Sequence, residues 1–588
     1  MSREWTVLRT RWHVGLRAGL SVGVPLVAGV LSGQSGWGAV ASLGGLAGVY
    51  GADTPGPHRI RLVATVGAVL TVVVPLSSLC ASRAWLSVLF TGVVAGIGAL
   101  VCRALRVPPP REYLIVLATL VATGTPAGPA EALGHCAMVA AGALIALAVT
   151  VVPVSGRAGA PHTKAVDRAW AAVREVLRTA GTPDAASARE HAVSEVAWAR
   201  EVVRQAGLPG TDERPRSLAA AEVVLPSALS VSIEAGEPLD PATWTEALAQ
   251  LRPEATEIAG LRQALEAAER VRRDDDEAPD LPRVSLRRRL REALNRDGVV
   301  LPAAVRVGVA VAAGVALGHL LGLGHAYWVG LTVAAVLQAS NVSVLVRRSA
   351  NRIGGTIAGV ALAAAVFAPQ PTALVVAVVA LVAQFAAELL MPTRYGVAVM
   401  FVTLVPLSIY DLAAPGAEIG SAVGARLLDT AIGVVLAVVL RLLLWPRATA
   451  ARLPQVQAKA LRATAEVFRS RWLHGELAPA RRRLQERVLD LHNVADDALA
   501  DHVRRGATSG RDQITVAIDQ LAMLALSVPF ERPHPPRDSA ETLVAQLEKL
   551  ADALHSGPLP APMAPVPGYP RTTAAAELLR SATGRIRR

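Results

Sequence analysis

Apolar and charged stretches alternate along this chain in long blocks. Six apolar runs follow one another at 14–33, 37–52, 62–81, 84–102, 113–125 and 132–153, and six more at 301–322, 326–346, 351–369, 372–390, 394–412 and 420–445. A helix of about 20 apolar residues matches the hydrocarbon thickness of a bilayer, so the pattern predicts an all-α membrane protein with twelve transmembrane helices. The fifth run is the weakest. Gly124, Pro126, Gly128 and Pro129 interrupt it, so it fits a re-entrant segment as well as a full crossing. In the two charged blocks, 157–298 and 447–588, apolar residues recur at helical spacing, as in Val166, Trp170, Val173 and Leu177 or Leu484, Val488, Leu491 and Val494. That spacing predicts amphipathic helices. Turn signals at Gly181-Thr-Pro183, Gly207-Leu-Pro-Gly210, Gly236-Glu-Pro238 and 533–536 divide the blocks into helical bundles. Asp274–Glu277 reads as a solvated linker and 558–570 as a Pro-rich tail.

The two halves align at a nearly constant offset. Leu16-Arg17-Ala18-Gly19 matches Val305-Arg306-Val307-Gly308, Trp37 matches Trp328, Arg59-Ile60 matches Arg352-Ile353, and Glu175-Val176-Leu177-Arg178 matches Glu466-Val467-Phe468-Arg469. The unit is six helices followed by a bundle, which gives segments 1–153, 154–298, 299–446 and 447–588. Six is even, so both copies enter the membrane from the same side. This is a parallel repeat, whose interface encloses a central path in transporters built that way. Gly44, Gly45 and Gly48 in the second run and Gly354, Gly355 and Gly359 in the ninth suit close helix packing.

Composition sharpens the picture. Half the residues are hydrophobic (52%) and only 18% charged, where a soluble domain has about 25% charged. The net charge of +12 raises nucleic acid as a partner, but its distribution speaks against that. The apolar blocks carry 17 arginines against eight acids, while the charged blocks are nearly balanced. With the N-terminus inside, twelve arginines fall in short cytoplasmic loops, Arg347, Arg348 and Arg352 among them, and one, Arg83, falls outside. This obeys the positive-inside rule. The expected location is the bacterial plasma (inner) membrane, with both termini and both bundles cytoplasmic. The basic leader before the first run has no clean cleavage site after it, and that run reads as a retained helix.

Ionisable residues inside spans are costly and mark functional candidates. Arg17 and Arg306 lie about one turn inside matched spans, either snorkelling to headgroups or holding an anionic substrate. Arg426 and Asp429 share one helix face at i,i+3, either as a neutralised structural pair or as an anion site (Arg426) beside a proton-coupling carboxylate (Asp429). The matching stretch of the first half, Gly134-His135-Cys136, lacks the pair, and His135 reads as a buried hydrogen-bonding group. Glu388 and Arg394 read as an interfacial pair. Thr332, Gln338, Ser340, Asn341 and Gln384 line a path or cross-link helices, and Trp37, Tyr327, Trp328 and Trp445 read as interfacial aromatics. Cys80, Cys102 and Cys136 have no metal-ligand spacing, and Asp274–Glu277 is too weak a cluster for metal. No Walker A sequence, His-Glu-x-x-His motif or hydrolase elbow occurs. No metal, cofactor or enzymatic activity is expected.

The segment Ala326-Tyr-Trp-Val-Gly-Leu-Thr-Val, then Arg347-Arg348 and Asn351-Arg-Ile-Gly-Gly-Thr356-Ile-Ala-Gly359, and Arg426-Leu-Leu-Asp-Thr-Ala-Ile-Gly433 resemble the fusaric acid resistance (FUSC) family. The first half departs from this signature: Pro57-His-Arg-Ile-Arg-Leu-Val lacks Gly-Gly-Thr. The resemblance implies a bacterial inner-membrane protein of two six-helix units, each with a cytoplasmic helical region, related to exporters of aromatic carboxylic acids. The plant aluminium-activated malate transporters resemble one such unit. The expected partners are the lipid bilayer and a small anionic substrate. The expected function is proton-driven export, with a passive anion channel or a non-transporting scaffold as the alternatives.

Overall fold

The structure is a computed structural model that describes residues 3–52, 54–152, 161–208, 212–273, 286–294, 300–337, 342–413, 419–443, 448–502, 510–527, 534–554 and 557–587. Among these, every regular element is a helix. In chain order they are α1 (Arg3–Leu31), α2 (Ser35–Gly45), α3 (Gly56–Cys80), α4 (Ala84–Ala104), α5 (Tyr113–Ala122), α6 (Pro129–Val151), α7 (Pro161–Arg178), α8 (Ala185–Ala206), α9 (Glu213–Glu234), α10 (Thr245–Gln250), α11 (Ala259–Arg273) and α12 (Leu286–Ala293). Then follow α13 (Val300–Leu320), α14 (Ala326–Val336), α15 (Val342–Phe367), α16 (Ala373–Leu390), α17 (Tyr395–Ala413), α18 (Ile419–Leu443), α19 (Ala448–Trp472), α20 (Leu477–His502), α21 (Gly510–Ser527), α22 (Arg537–Ala553) and α23 (Pro570–Arg587). They group into two compact units, Met1–Arg157 with Arg283–Pro446, and Ala158–Pro282 with Arg447–Arg588. Each unit draws on both halves of the chain.

Ten described helices are long and apolar enough to cross a membrane: α1, α3, α4, α6, α9, α13, α15, α16, α17 and α18. Of these, α9 belongs to the second unit, where its Leu218, Val224, Leu225 and Leu229 fill the core. In the first unit the long helices turn apolar stripes outward. Trp85, Leu89, Val93 and Ile97 of α4 stand four residues apart and are 47–61% exposed. An apolar face of this extent suits acyl chains rather than water.

Three apolar runs are shorter as helices than as sequence patterns. At 10–11 residues, α2, α5 and α14 reach about 15–17 Å, half the hydrocarbon thickness. They are also enclosed: all eleven residues of α14 are buried, and eight of ten in α5. Protein on all sides satisfies their ends, so they need not match the bilayer. The run 326–346 splits, because α14 stops at Val336 and α15 already starts at Val342. Arg347, Arg348 and Arg352, which the sequence pattern puts in a loop, therefore stand on a helix.

The first helix of each half packs against the fourth helix of the other. On α1, Gly15, Gly19 and Gly23 face Phe385 and Leu381 of α16; on α4, Gly92 and Gly96 face Gly308, Ala312 and Ala304 of α13. A Cβ on Gly23 would lie 2.5 Å from Leu381, so only glycine permits that approach. Of the glycines singled out from sequence, Gly44, Gly45, Gly48, Gly355 and Gly359 all meet a neighbour closely, whereas Gly354 faces open space.

In the second unit one hydrophobic core joins both chain segments, running from Val173 and Leu225 to Phe468, Leu484 and Leu521. α9 packs on α21 and α8 on α20. Arg200 of α8 binds Glu222 at 2.5 Å and donates to Gln485 of α20 at 2.9 Å. The Asp274–Glu277 run lies outside the described residues.

Candidate functional site

Buried polar groups in the first unit collect where α14, α15 and α18 meet α5 and α17. Arg426 and Asp429 of α18 are each 1% exposed and Arg352 of α15 is 3% exposed. A seven-residue advance from Ile419 carries Arg426 about 10 Å into its helix. Its Cζ lies 4.8 Å from the centre of the Trp328 ring on α14. Gly433 of α18 allows this proximity, because a Cβ there would lie 2.6 Å from Thr332 Cβ and 2.9 Å from the Val329 carbonyl. A desolvated guanidinium over indole is worth about 2 kcal/mol. Trp328 is itself stacked on His325 at 4.4 Å, and His325 meets Tyr410 of α17 edge-on.

Two departures from the sequence reading follow. Arg426 and Asp429 share a helix face but form no ion pair within 4 Å. Both carboxylate oxygens of Asp429, and Nε and Nη1 of Arg426, are buried without a hydrogen-bond partner. The guanidinium has turned to the indole instead. Trp328, read from sequence as an interfacial aromatic, is 1% exposed and holds that cation.

Arg352, a loop arginine by the sequence pattern, joins this cluster. It stands beside Tyr113 of α5 and Tyr395 of α17, and close enough to Arg426 for the two cations to repel. Its sequence match, Arg59, is half-buried and caps the loop carbonyls of Gly51 and Thr54 at 2.9 and 2.7 Å. The orphan atoms continue with Arg352 Nε, Thr332 Oγ1, Ser349 Oγ and Thr430 Oγ1. Buried polar atoms are almost always satisfied, which makes this cluster the candidate site. Among the described residues it brings two guanidiniums, Arg352 and Arg426, together with the Asp429 carboxylate, and the buried Glu112 directly precedes Tyr113.

The remaining sequence candidates fall elsewhere. Arg17 of α1 is 5% exposed and donates from Nη2 to the Tyr50 carbonyl at 3.2 Å. Arg306 of α13 is half-buried. Neither is brought to the Arg352–Arg426 cluster by a contact described here. Glu388 of α16 faces Arg17 and Arg11 of α1, because α16 packs on α1, and so differs from the expected pairing with Arg394. His135 of α6 is buried, with Nδ1 3.1 Å from Ser78 Oγ and its ring edge-on to Trp37 at 5.8 Å. Thus His135 meets Trp37 in the first half as Arg426 meets Trp328 in the second. Gln384 is buried on α16. Gln338, Ser340, Asn341 and Trp445 lie outside the described residues. Tyr113 carried no sequence signal, whereas Arg352 stood within the Asn351-Arg-Ile-Gly-Gly motif.

Many apolar helices with outward apolar stripes, and a polar cluster enclosed among them, define a multi-pass membrane protein. The resemblance read from the sequence is borne out: residues 311–440, which include Arg352, Arg426 and Asp429, match the family described as fusaric acid resistance protein-like. The chain is also 25% identical, over 95% of its length and 93% of the relative's, to the uncharacterized membrane protein YvaC of Bacillus subtilis (strain 168). No solved structure matches it significantly.

Proposed function

We propose that this chain is a secondary transporter that exports small organic anions, aromatic carboxylates foremost, across a bacterial inner membrane. The observation that carries this reading is the enclosed pair of cations, Arg352 and Arg426, with orphan N–H groups. A bound anion would partner the orphan N–H groups. A planar carboxylate matches guanidinium forks, and the aromatic side chains around them, Tyr113 and Tyr395, suit an aromatic body. Asp429, buried with both oxygens unpartnered, is the group to take up the coupling proton, which ties anion movement to the proton gradient. Arg17 and Arg306 are further candidates for holding the anion, on their matched places in the two halves.

In this reading the first unit crosses the membrane twelve times as two parallel six-helix repeats. The reciprocal packing of α1 on α16 and α4 on α13 supports it. Both termini and the helical bundles are cytoplasmic, in keeping with the arginine distribution. In a background without Cys80, Cys102 and Cys136, an impermeant thiol reagent applied outside cells should label Arg83→Cys and leave Arg347→Cys untouched. Equal labelling overturns the orientation.

Function is tested in proteoliposomes holding a panel of aromatic and aliphatic carboxylates, with and without a pH gradient. Gradient-driven accumulation of a carboxylate is the expected result. Flux that ignores the gradient would make the protein a channel. No flux of any carboxylate would overturn the reading and leave a scaffold.

A further inference from the structure

We propose that α12, together with the connection that follows α4, forms a docking surface for the headgroups of anionic phospholipids. The α12 sequence, Leu-Arg-Arg-Arg-Leu-Arg-Glu-Ala, sets four arginines against one glutamate. Arg287 and Arg291 are both exposed and stand at i,i+4, on one face. Leu286 and Leu294, at either end, are 56% and 54% exposed, while Ala293 is buried and α12 packs on α4.

The register of α4 and α13 fixes where this lies. Gly92 meets Gly308 and Ala312, and Gly96 meets Ala304, so the two helices run antiparallel. The start of α13, and α12 just before it, therefore fall at the C-terminal end of α4. That end carries Arg103 in its last turn, followed by the exposed Arg106 and Arg111. Glu112, the acid of that connection, is turned inward at 4% exposure. Two exposed basic segments thus converge at one end of an apolar helix whose flank is itself exposed.

Chemistry selects the occupant. A short helix with arginines on one side and exposed leucines at its ends matches the boundary of a bilayer, with leucine at the acyl edge and guanidinium at the phosphate. Arginine binds phosphate oxygens bidentately, and basic segments next to spans are drawn to anionic lipid. Zwitterionic lipid offers the same phosphate without the net charge, so the surface favours phosphatidylglycerol over phosphatidylcholine. This inference is independent of the proposed anion site and of transport.

The test uses the purified full chain in neutral detergent micelles doped with phosphatidylglycerol or phosphatidylcholine. The thermal unfolding midpoint should rise with phosphatidylglycerol only, and the rise should vanish in high salt. In Arg287→Gln/Arg291→Gln, apparent affinity for phosphatidylglycerol should fall on the order of tenfold. Arg178→Gln/Arg537→Gln, which removes two exposed arginines of the second unit, should respond as the wild type does. If the first variant fails to accumulate, Arg106→Gln/Arg111→Gln carries the same expectation. A wild-type response equal in both lipids overturns the proposal, and so does an undiminished response in the α12 variant or its substitute.

Discussion

Asp429 shows how much a single buried residue can decide. A truly buried ion pair loses about 3–5 kcal/mol when one partner is removed, but Asp429 makes no hydrogen-bonded ion pair and Asn keeps its shape. Asp429→Asn should therefore leave the amount of folded protein near wild type, abolish pH-driven carboxylate flux and spare exchange. Quantified expression beside the two flux assays checks this. Arg426→Gln should lower flux at least tenfold at every pH. In the second unit, burial and the adjacent Asp519 carboxylate raise the pKa of Glu190, with His492 acting against them. A carboxyl raised in the folded state adds stability that is full below its unfolded value, near 4.3, and lost as pH rises through the folded one. Glu190→Gln should thus raise the unfolding midpoint at pH 8 and lose that advantage toward pH 5. The gain stays below about 1 kcal/mol, because the side chain is more than a third exposed. At this scale the sequence was half legible. Arg426 and Asp429 stood out as charges in an apolar run, but their failure to pair depends on the neighbouring Trp328 ring. Arg352 was hidden because a charge near a span end looks like a loop residue until the helix start is known.

Among elements, the contact of α14 on α18 beside the candidate site leaves no room for a larger residue at Gly433. Gly433→Val would drive methyl groups into Thr332 and the Val329 carbonyl, an overpacking that costs about 1–3 kcal/mol and parts the helices about two turns from Arg426. Folded protein and flux should both fall. Gly354→Ala on α15, which faces open space, should be tolerated, and solubilised yield with a fluorescent fusion distinguishes the two. Hydropathy marked the long helices well because lipid contact demands a continuous apolar surface. It overestimated α2, α5 and α14, since a helix wrapped in protein is apolar for packing, and its length is set by its neighbours rather than the bilayer. Run length alone cannot separate those causes. The helical period in the charged blocks, by contrast, survived directly: Val166, Val173 and Leu177, and Leu484, Val488 and Leu491, are all core residues.

For the whole molecule, the two halves complete one another. The core of the second unit includes Leu225 from one segment and Leu521 from the other, and α1 and α4 of the first half lean on α16 and α13 of the second. Residues 1–298 and 299–588 expressed as separate chains should accumulate poorly alone and copurify when made together. Stable accumulation of either alone would contradict this mutual dependence. Internal sequence similarity disclosed the repeat offset, but it could not say whether like helices pack within a half or across halves, because a glycine face looks the same for either partner. That exchange of partners sets a schedule for biogenesis. The glycine face of α4 reaches the translocon long before α13 does, and residue 312 is made some 220 residues after residue 92. At about 5–20 residues per second, the groove stands open to lipid for roughly 10–45 s. Until the ribosome delivers its mate, the first half must wait in the bilayer as an unfinished surface, in reach of insertases and membrane proteases.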